Sequence, residues 1–345
     1  MKNEKKYVLF ANGKSPHTLK WAKQLIKHYD LYLISLNGIS SELLNLIQKE
    51  KVFVLNETVN VEGGNYKLFF KYGKFEKILR KINPKYINAH YLSSYGFLSA
   101  IYKKKNKNVI LIQTTLGSDV LIAPFQNLLN KKIAEFSLKE ANFVTSDSYY
   151  MSDVIQKIYK DVNILTFPFG LEKLNDFIMD KDDHLIFSNR ALYDNYNIDL
   201  IIKWFASLDK KYKLIISNDG EVEKLKSLAE RLNVIERIEF EGFLNSSDQE
   251  KIYKKAKYYI SIPSSDATSV SLLEAMYYGC LPIVSNIPAN REWILDGVNG
   301  VFFKNDLNLS KIEINKDYWK INRNLIEKKA YFPKSIEMFV KKINI

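Results

Sequence analysis

Ser264-Ser265-Asp266-Ala267-Thr268-Ser269-Val270-Ser271-Leu272-Leu273-Glu274-Ala275-Met276-Tyr277-Tyr278-Gly279 is the stretch on which the reading of this chain turns. It follows the apolar β-type run 258–262, closed by Pro263, and precedes a second such run, 281–285. Strand, turn, helix, strand is the local reading. Thr268 or Ser269 can cap the helix by accepting a hydrogen bond from a backbone N–H. Gly279 can stop it by taking the left-handed conformation that helix ends favour. Such a helix opens at the carboxyl end of a strand, where open α/β sheets hold their ligands. The first-turn amides of Ser269, Val270 and Ser271 would then suit a phosphate.

Asp266 and Glu274 have seven residues between them. Glu274 lies more than a turn inside the helix, where a carboxylate accepting two hydrogen bonds fits the paired hydroxyls of a ribose. Asp266 lies in the turn, where a phosphate neighbour would repel it, so it is expected to face the neutral hydroxyls of a sugar. The alternative makes Asp266 a turn residue and Glu274 a solvated helix residue. The residues around them favour a nucleotide-sugar.

The run 265–276, with Gly279-Cys280-Leu281-Pro282, resembles the acidic-x7-acidic signature of the retaining glycosyltransferases of family four, also known as glycosyl transferases group 1. The continuation 286–300 is similar to that family's closing segment. Asp266 replaces the more usual Glu, which keeps the charge and shortens the reach. The resemblance implies a GT-B fold, that is, two Rossmann-like doubly wound α/β domains facing a central cleft, with a C-terminal helix crossing back to the first domain. It implies Arg190 as the residue that neutralises the donor's diphosphate, a task suited to a rigid fork of donors. Relatives usually add a Lys about five residues later, where this chain has Asn195. The turn Gly242-Phe243-Leu244 corresponds to one that offers backbone groups to the nucleotide base. Gln113-Thr114-Thr115-Leu116-Gly117-Ser118-Asp119 is similar to the family's Gly-Ser-Asp turn, with Leu116 where many relatives have a sugar-contacting His. That departure shifts weight to His90.

The chain of 345 residues is long enough for two domains. The expected division is 1–170 for an acceptor-side domain, 171–183 for a linker, 184–328 for a donor-binding domain and 329–345 for the crossover helix. In the first part, 7–11, 31–36, 52–55, 86–89, 109–115 and 143–146 read as buried strands. Helices are expected at 16–28, 74–82 and 126–140. In the second part, 184–189, 214–217 and 238–241 read as strands, and 199–207 and 222–232 as helices. Beyond Phe303 an amphipathic helical pattern is expected to the end. Such alternation implies parallel sheets. The turn after the first strand carries Gly13 and His17, read either as a tight βα turn or as an acceptor loop. His90 ends a strand and can donate a hydrogen bond to a sugar or phosphate oxygen without being charged. The alternative is a His packed in the strand–helix joint. Asp119 binds a hydroxyl or caps its own turn.

Charge is unevenly placed. Up to Gly170 there are 25 Lys+Arg and 13 Asp+Glu, a net of +12, and the remainder holds 51−25 = 26 basic and 39−13 = 26 acidic residues, a net of zero. The expected partners of the basic half are an anionic membrane surface or a phosphate-bearing acceptor. Lys103-Lys104-Lys105-Asn106-Lys107 reads as a solvated helix end, and nucleic acid is not expected as a partner. The single Cys280 fits a reducing compartment. The start reads as a first strand, not a signal peptide, and no run approaches the ~20 apolar residues of a membrane span. A cytoplasmic protein, peripheral on the inner membrane face, is expected.

The sequence therefore leads to a metal-independent retaining hexosyltransferase using a nucleotide diphosphate sugar, with UDP the expected nucleotide and no further cofactor. The acceptor is expected to be a saccharide or polyprenyl-linked saccharide of surface-glycan assembly. Arg190, Asp266 and His90 are the catalytic candidates. Glu274, Thr268, Ser269, Val270, Ser271, Phe243 and Leu244 are expected to hold the donor. Gly13, His17, Gly117, Ser118 and Asp119 are expected on the acceptor side. The rivals are a non-catalytic sugar-nucleotide-binding protein and a GT-B sugar-nucleotide epimerase.

Overall fold

A computed structural model describes residues 5–56, 72–177 and 179–344. Ile178, inside the expected linker, and Ile345, at the end of the expected last helix, lie outside the described residues. The chain divides into two compact units. One comprises Met1–Pro168 with Pro333–Ile345, and the other Phe169–Phe332.

Among the described residues, the first unit is built on seven parallel strands. They are β1 (Lys6–Phe10), β2 (Asp30–Ser35), β3 (Val52–Val54), β4 (Tyr86–His90), β5 (Ile110–Thr114), β6 (Phe143–Ser146) and β7 (Ile164–Thr166), in the spatial order β3-β2-β1-β4-β5-β6-β7. Helices between consecutive strands cover the sheet, so β1 and β4 are buried almost residue by residue. That is why 7–10 of β1 reads as an unbroken apolar run and not as an alternating one, and why Asn88 and His90 of β4 are buried with their apolar neighbours. Val8 and Phe10 of β1, Ile87 and Ala89 of β4, and Phe75 and Leu79 of the helix Tyr72–Ile82 share one core. The last helix, Phe332–Ile343, reaches this unit at Pro333. Its Phe339 packs edge-on to Trp21 at 5.4 Å between ring centres. Beyond it, Asn344 accepts from Tyr86 OH at 2.7 Å and donates to Tyr29 OH at 2.9 Å.

The second unit has six parallel strands among the described residues. These are β8 (Asp182–Ser188), β9 (Lys213–Ser217), β10 (Ile238–Gly242), β11 (Ala256–Ser261), β12 (Leu281–Val284) and β13 (Val301–Phe302), in the order β10-β9-β8-β11-β12-β13. The helix Val270–Tyr277 connects β11 to β12, its Leu272, Leu273, Ala275 and Met276 buried against Phe187 and Tyr259. Gly279 ends it with φ +77. The expected helix beyond Phe303 begins only at Tyr318. Residues 304–317 are turns and one 3-10 turn, and there Leu307, Leu309, Ile312 and Ile314 point singly into the core. A loop that buries apolar residues at intervals imitates helical spacing, which is why the pattern misled.

Strand order reverses between β1 and β4 in the first unit and between β8 and β11 in the second. At such a reversal the connecting chains leave in opposite directions, and a crevice opens at the carboxyl ends of the two strands. Arg190 follows β8 and the turn with Asp266 follows β11. Both therefore stand at the reversal of the second unit.

Candidate functional site

Ser269 is the cap of the helix Val270–Tyr277, its hydroxyl accepting from Leu272 N–H at 3.3 Å. The N–H groups of Val270 and Ser271 lie in the first turn, where no intrahelical carbonyl reaches them. Thr268 and Ser269 are buried, while Val270, Ser271 and Glu274 are half-buried. Arg190 lies over this helix tip. One of its terminal nitrogens donates to Ser269 Oγ and, at 3.2 Å, to Ser271 Oγ. The other donates to Asp266 Oδ2 at 2.7 Å. Its guanidinium also stacks on Tyr196, 4.5 Å from the ring centre.

Asp266, expected to face neutral hydroxyls, thus has a cation, Arg190, as its side-chain partner. The two side chains are only 11% and 18% exposed, so water screens the pair weakly. Burial raises the Asp266 carboxyl above its ordinary value, while Arg190 and the Ala267 N–H pull it back. For Arg190, burial lowers the pKa, but the Asp266 carboxylate more than reverses that and holds the guanidinium charged. The pair is ionic.

A polar layer that the sequence did not reveal supports Arg190 from below. Asn189 is buried, and its side-chain amide donates to Tyr253 OH at 2.7 Å and to Gln249 Oε1 at 2.8 Å, while Tyr259 OH donates to Asn189 Oδ1 at 3.1 Å. Tyr253 OH also reaches the Ser271 carbonyl at 3.2 Å. The end of β8 and the first turn of the helix are therefore joined through one tyrosine. Tyr259 sits in the apolar run 258–262, whereas Tyr253 stands among charged residues of the helix Ser246–Lys255; Asn189, a polar residue ending a buried strand, was the available signal.

Asn195 stands where relatives carry Lys, and it brackets the acidic turn. Its side chain donates to Ser265 O at 3.0 Å and accepts from Ser265 N–H at 3.2 Å, and its carbonyl accepts from Ser264 N–H at 2.8 Å. Phe243 is 65% exposed beyond β10, and the Leu244 carbonyl accepts from Gln249 Nε2 at 2.8 Å.

The candidates of the first unit are differently placed. Gly13 sits against Gly38 so closely that a Cβ would meet Gly38 O at 2.6 Å. Its N–H donates to Ser35 Oγ and its carbonyl accepts from Ser40 N–H, so neither backbone group faces outward. Of the two readings of His90, a donor to a sugar or phosphate oxygen and a His packed in the strand–helix joint, the packed one describes it: it is buried edge-on against Trp21. Burial, helped by nearby His17, lowers its pKa to about 3. Neither of its ring nitrogens has a hydrogen-bond partner among the described residues. His17 is half-buried and lowered to about 4, by burial and then by Lys20. Gly117 and Ser118 lead into the helix Ser118–Leu121. Asp119 is buried and accepts from Leu92 N–H and Leu116 N–H, both at 3.0 Å, which ties the loops after β4 and β5 together. Burial lifts its carboxyl to about 6 although these N–H groups lower it. The turn-capping alternative describes Asp119. Lys103 is also not solvated: it is buried, and its ammonium donates to the carbonyls of Lys107 and Val109.

Residues 172–328 match the family of glycosyl transferases group 1, and residues 6–148 match the glycosyl transferase 4-like family. An uncharacterized glycosyltransferase of Methanocaldococcus jannaschii is 26% identical over 94% of this chain and 89% of its own length. The alpha-monoglucosyldiacylglycerol synthase of Streptococcus pneumoniae is 27% identical over 39% of this chain and 31% of its own length. Among solved structures, Anabaena HepE in complex with UDP and glucose superposes with a TM-score of 0.69 at 14% identity, over 98% of this chain and 95% of that one.

Proposed function

The chain belongs to the glycosyl transferases group 1 and has the GT-B fold, and from that premise we propose that it is a retaining hexosyltransferase using a UDP-sugar. The acceptor in this reading is a saccharide or polyprenyl-linked saccharide at an anionic membrane surface. One observation carries the reading: Arg190 stands at the strand-order reversal between an acid and the open first turn of a helix.

As the anomeric C–O bond breaks, negative charge grows on the β-phosphate. Arg190 and the amides of Val270 and Ser271 stabilise that charge, and preorganised donors aimed at developing charge are usually the largest catalytic term. Asp266 releases Arg190 to the diphosphate and turns to sugar hydroxyls. The leaving phosphate takes the acceptor proton, and the new bond forms on the face the nucleotide leaves, which retains the anomeric configuration. Glu274 holds the ribose. Charge neutralisation falls to Arg190 and not to a metal ion, so chelator should leave transfer unchanged. The UDP assignment draws support from the HepE complex, and the lipid-borne acceptor from the glycolipid named in the pneumococcal relative.

The test is a thermal-shift panel of UDP-, GDP- and dTDP-sugars, then NMR of the product's anomeric proton. Inversion at the anomeric carbon, or no shift with any sugar nucleotide, would overturn the reading. Sugar-nucleotide binding without transfer remains the second reading. It is favoured by Asn195, which occupies the position of the relatives' Lys and is engaged in holding the turn.

A further inference from the structure

Ile122, Phe125, Leu128 and Leu129 are 43%, 64%, 78% and 49% exposed. Twelve large apolar side chains are exposed among the described residues, and these four fall within eight positions. Singly scattered exposed apolar residues are ordinary on a soluble surface, whereas a cluster marks an interaction site. The local backbone keeps this cluster outward. The helix Ala123–Gln126 ends at Asn127, whose side chain accepts from Asn130 N–H at 2.8 Å and starts the helix Leu128–Glu140. Leu128 and Leu129 therefore occupy the first turn, and the same helix buries Ala134, Ser137 and Leu138 on its other side.

The charge within the segment is basic, and the nearest acid on its helix, Glu135, lies 3.9 Å from Lys131. No acidic residue occurs between Asp119 and Glu135, while Lys131 and Lys132 are exposed just beyond the leucines. The helix Tyr95–Lys105 packs along Leu128–Glu140, with Lys104 5.7 Å from the Phe136 ring centre. Adding Pro333–Ile345 (3 basic, 1 acidic) to the first part gives 28 basic and 14 acidic residues in this unit, a net of +14; the other unit holds 51−28 = 23 and 39−14 = 25, a net of −2.

We propose that segment 122–129, with Lys131 and Lys132, is a docking element that seats in the headgroup region of an anionic bilayer. A nucleic acid would use the lysines and leave Phe125 and the leucines in water. A second copy would bring a like-charged unit against this one. An anionic lipid surface takes both features, because apolar side chains enter the acyl boundary while lysines stay at the headgroups. The proposal rests on the reading of a lipid-borne acceptor, and its test is separate from the chemistry.

Flotation would use the full chain with vesicles of phosphatidylcholine alone or with 30% phosphatidylglycerol, at about 0.15 M salt, where charge screening extends over about 8 Å. The expected result is binding to the anionic vesicles only. Phe125→Ser with Leu128→Ser should lower the partition coefficient by about tenfold or more. Lys131→Glu with Lys132→Glu should lower it similarly. Donor-induced thermal shifts should be unchanged in both, which shows that the second unit is intact. Equal flotation with neutral vesicles, or full binding by the serine variant, overturns the proposal. So does a dimer in light scattering that the serine variant abolishes, or competition by RNA. Failure of transfer with intact vesicle binding would count against the enzyme reading alone.

Discussion

Arg190 reaches a carboxylate, two hydroxyls and an aromatic face from one guanidinium. An arginine so held is preorganised, but it is also occupied: in the proposed reading Asp266 takes the place that the donor's phosphate would need. Removing Asp266's charge while keeping its shape should release it. Asp266→Asn is expected to bind UDP several-fold tighter than wild type by calorimetry and to lose transfer, since one group both restrains Arg190 and positions the sugar. Unchanged or weaker UDP binding would show that the ion pair does not compete with the donor. In the proposed mechanism Arg190→Ala removes a donor to the leaving phosphate, and one such donor contributes about 2.7–4 kcal/mol to the barrier. Its turnover should fall about 10²–10³-fold with a smaller change in donor affinity, read from steady-state kinetics with binding measured separately. Glu274→Ala should do the reverse and weaken nucleotide binding; unchanged affinity would remove Glu274 from the site.

The acidic turn owes its shape to a neighbouring element. Asn195 and Asn197 bracket 262–265 from the loop after β8, with Asn197 at φ +53 donating to Ile262 O at 2.8 Å. Losing one partner of a partly buried hydrogen bond costs about 1–3 kcal/mol. Asn195→Ala should therefore lower stability by that amount and weaken donor binding through a loosened turn, whereas an unaltered donor affinity would make the bracket purely structural. A second junction lies where 169–171 runs beside 330–332. Leu171 N–H donates to Ala330 O at 2.7 Å and Phe332 N–H to Leu171 O at 2.9 Å. A Cβ on Gly170 would lie 1.8 Å from that Ala330 oxygen. Gly170→Ala must displace backbone, not a flexible side chain, and is expected to cost more than about 2 kcal/mol by urea denaturation.

For the molecule as a whole, the groups buried in the first unit set a pH dependence. His17 and His90 titrate near 4 and 3 in the fold against an ordinary 6.5. Below pH 6.5 the unfolded chain binds their protons first, so each histidine removes about 1.4 kcal/mol of stability per pH unit on acidification. Asp119 acts oppositely: its pKa of about 6 exceeds the ordinary 3.8, so between those values the folded state binds the proton first and gains stability as pH falls. The net expectation from these three groups is a loss equal to one histidine's slope between pH 6 and 4. His90→Leu should nearly flatten that interval in urea melts. An acid loss equal to wild type's would show that His90 is protonated in the fold.

The sequence by itself determined the strand–helix alternation, a cap at Thr268 or Ser269, the stop at Gly279 and the resemblance to glycosyl transferases group 1, and it singled out Arg190, Asp266 and Glu274 as candidates. Each of these is local: periodicity, cap chemistry and the spacing of acids are written in consecutive residues. Only the tertiary structure decided that Asp266 pairs with Arg190, that Asn195 holds a turn seventy residues away, that His90 is sealed against Trp21, and that Asp119 ties two loops. A polar residue at the end of a strand looks the same in sequence whether the neighbouring strand's loop covers it or leaves it open. Which loop lies there follows from sheet order, and sheet order follows from contacts between residues far apart in the chain.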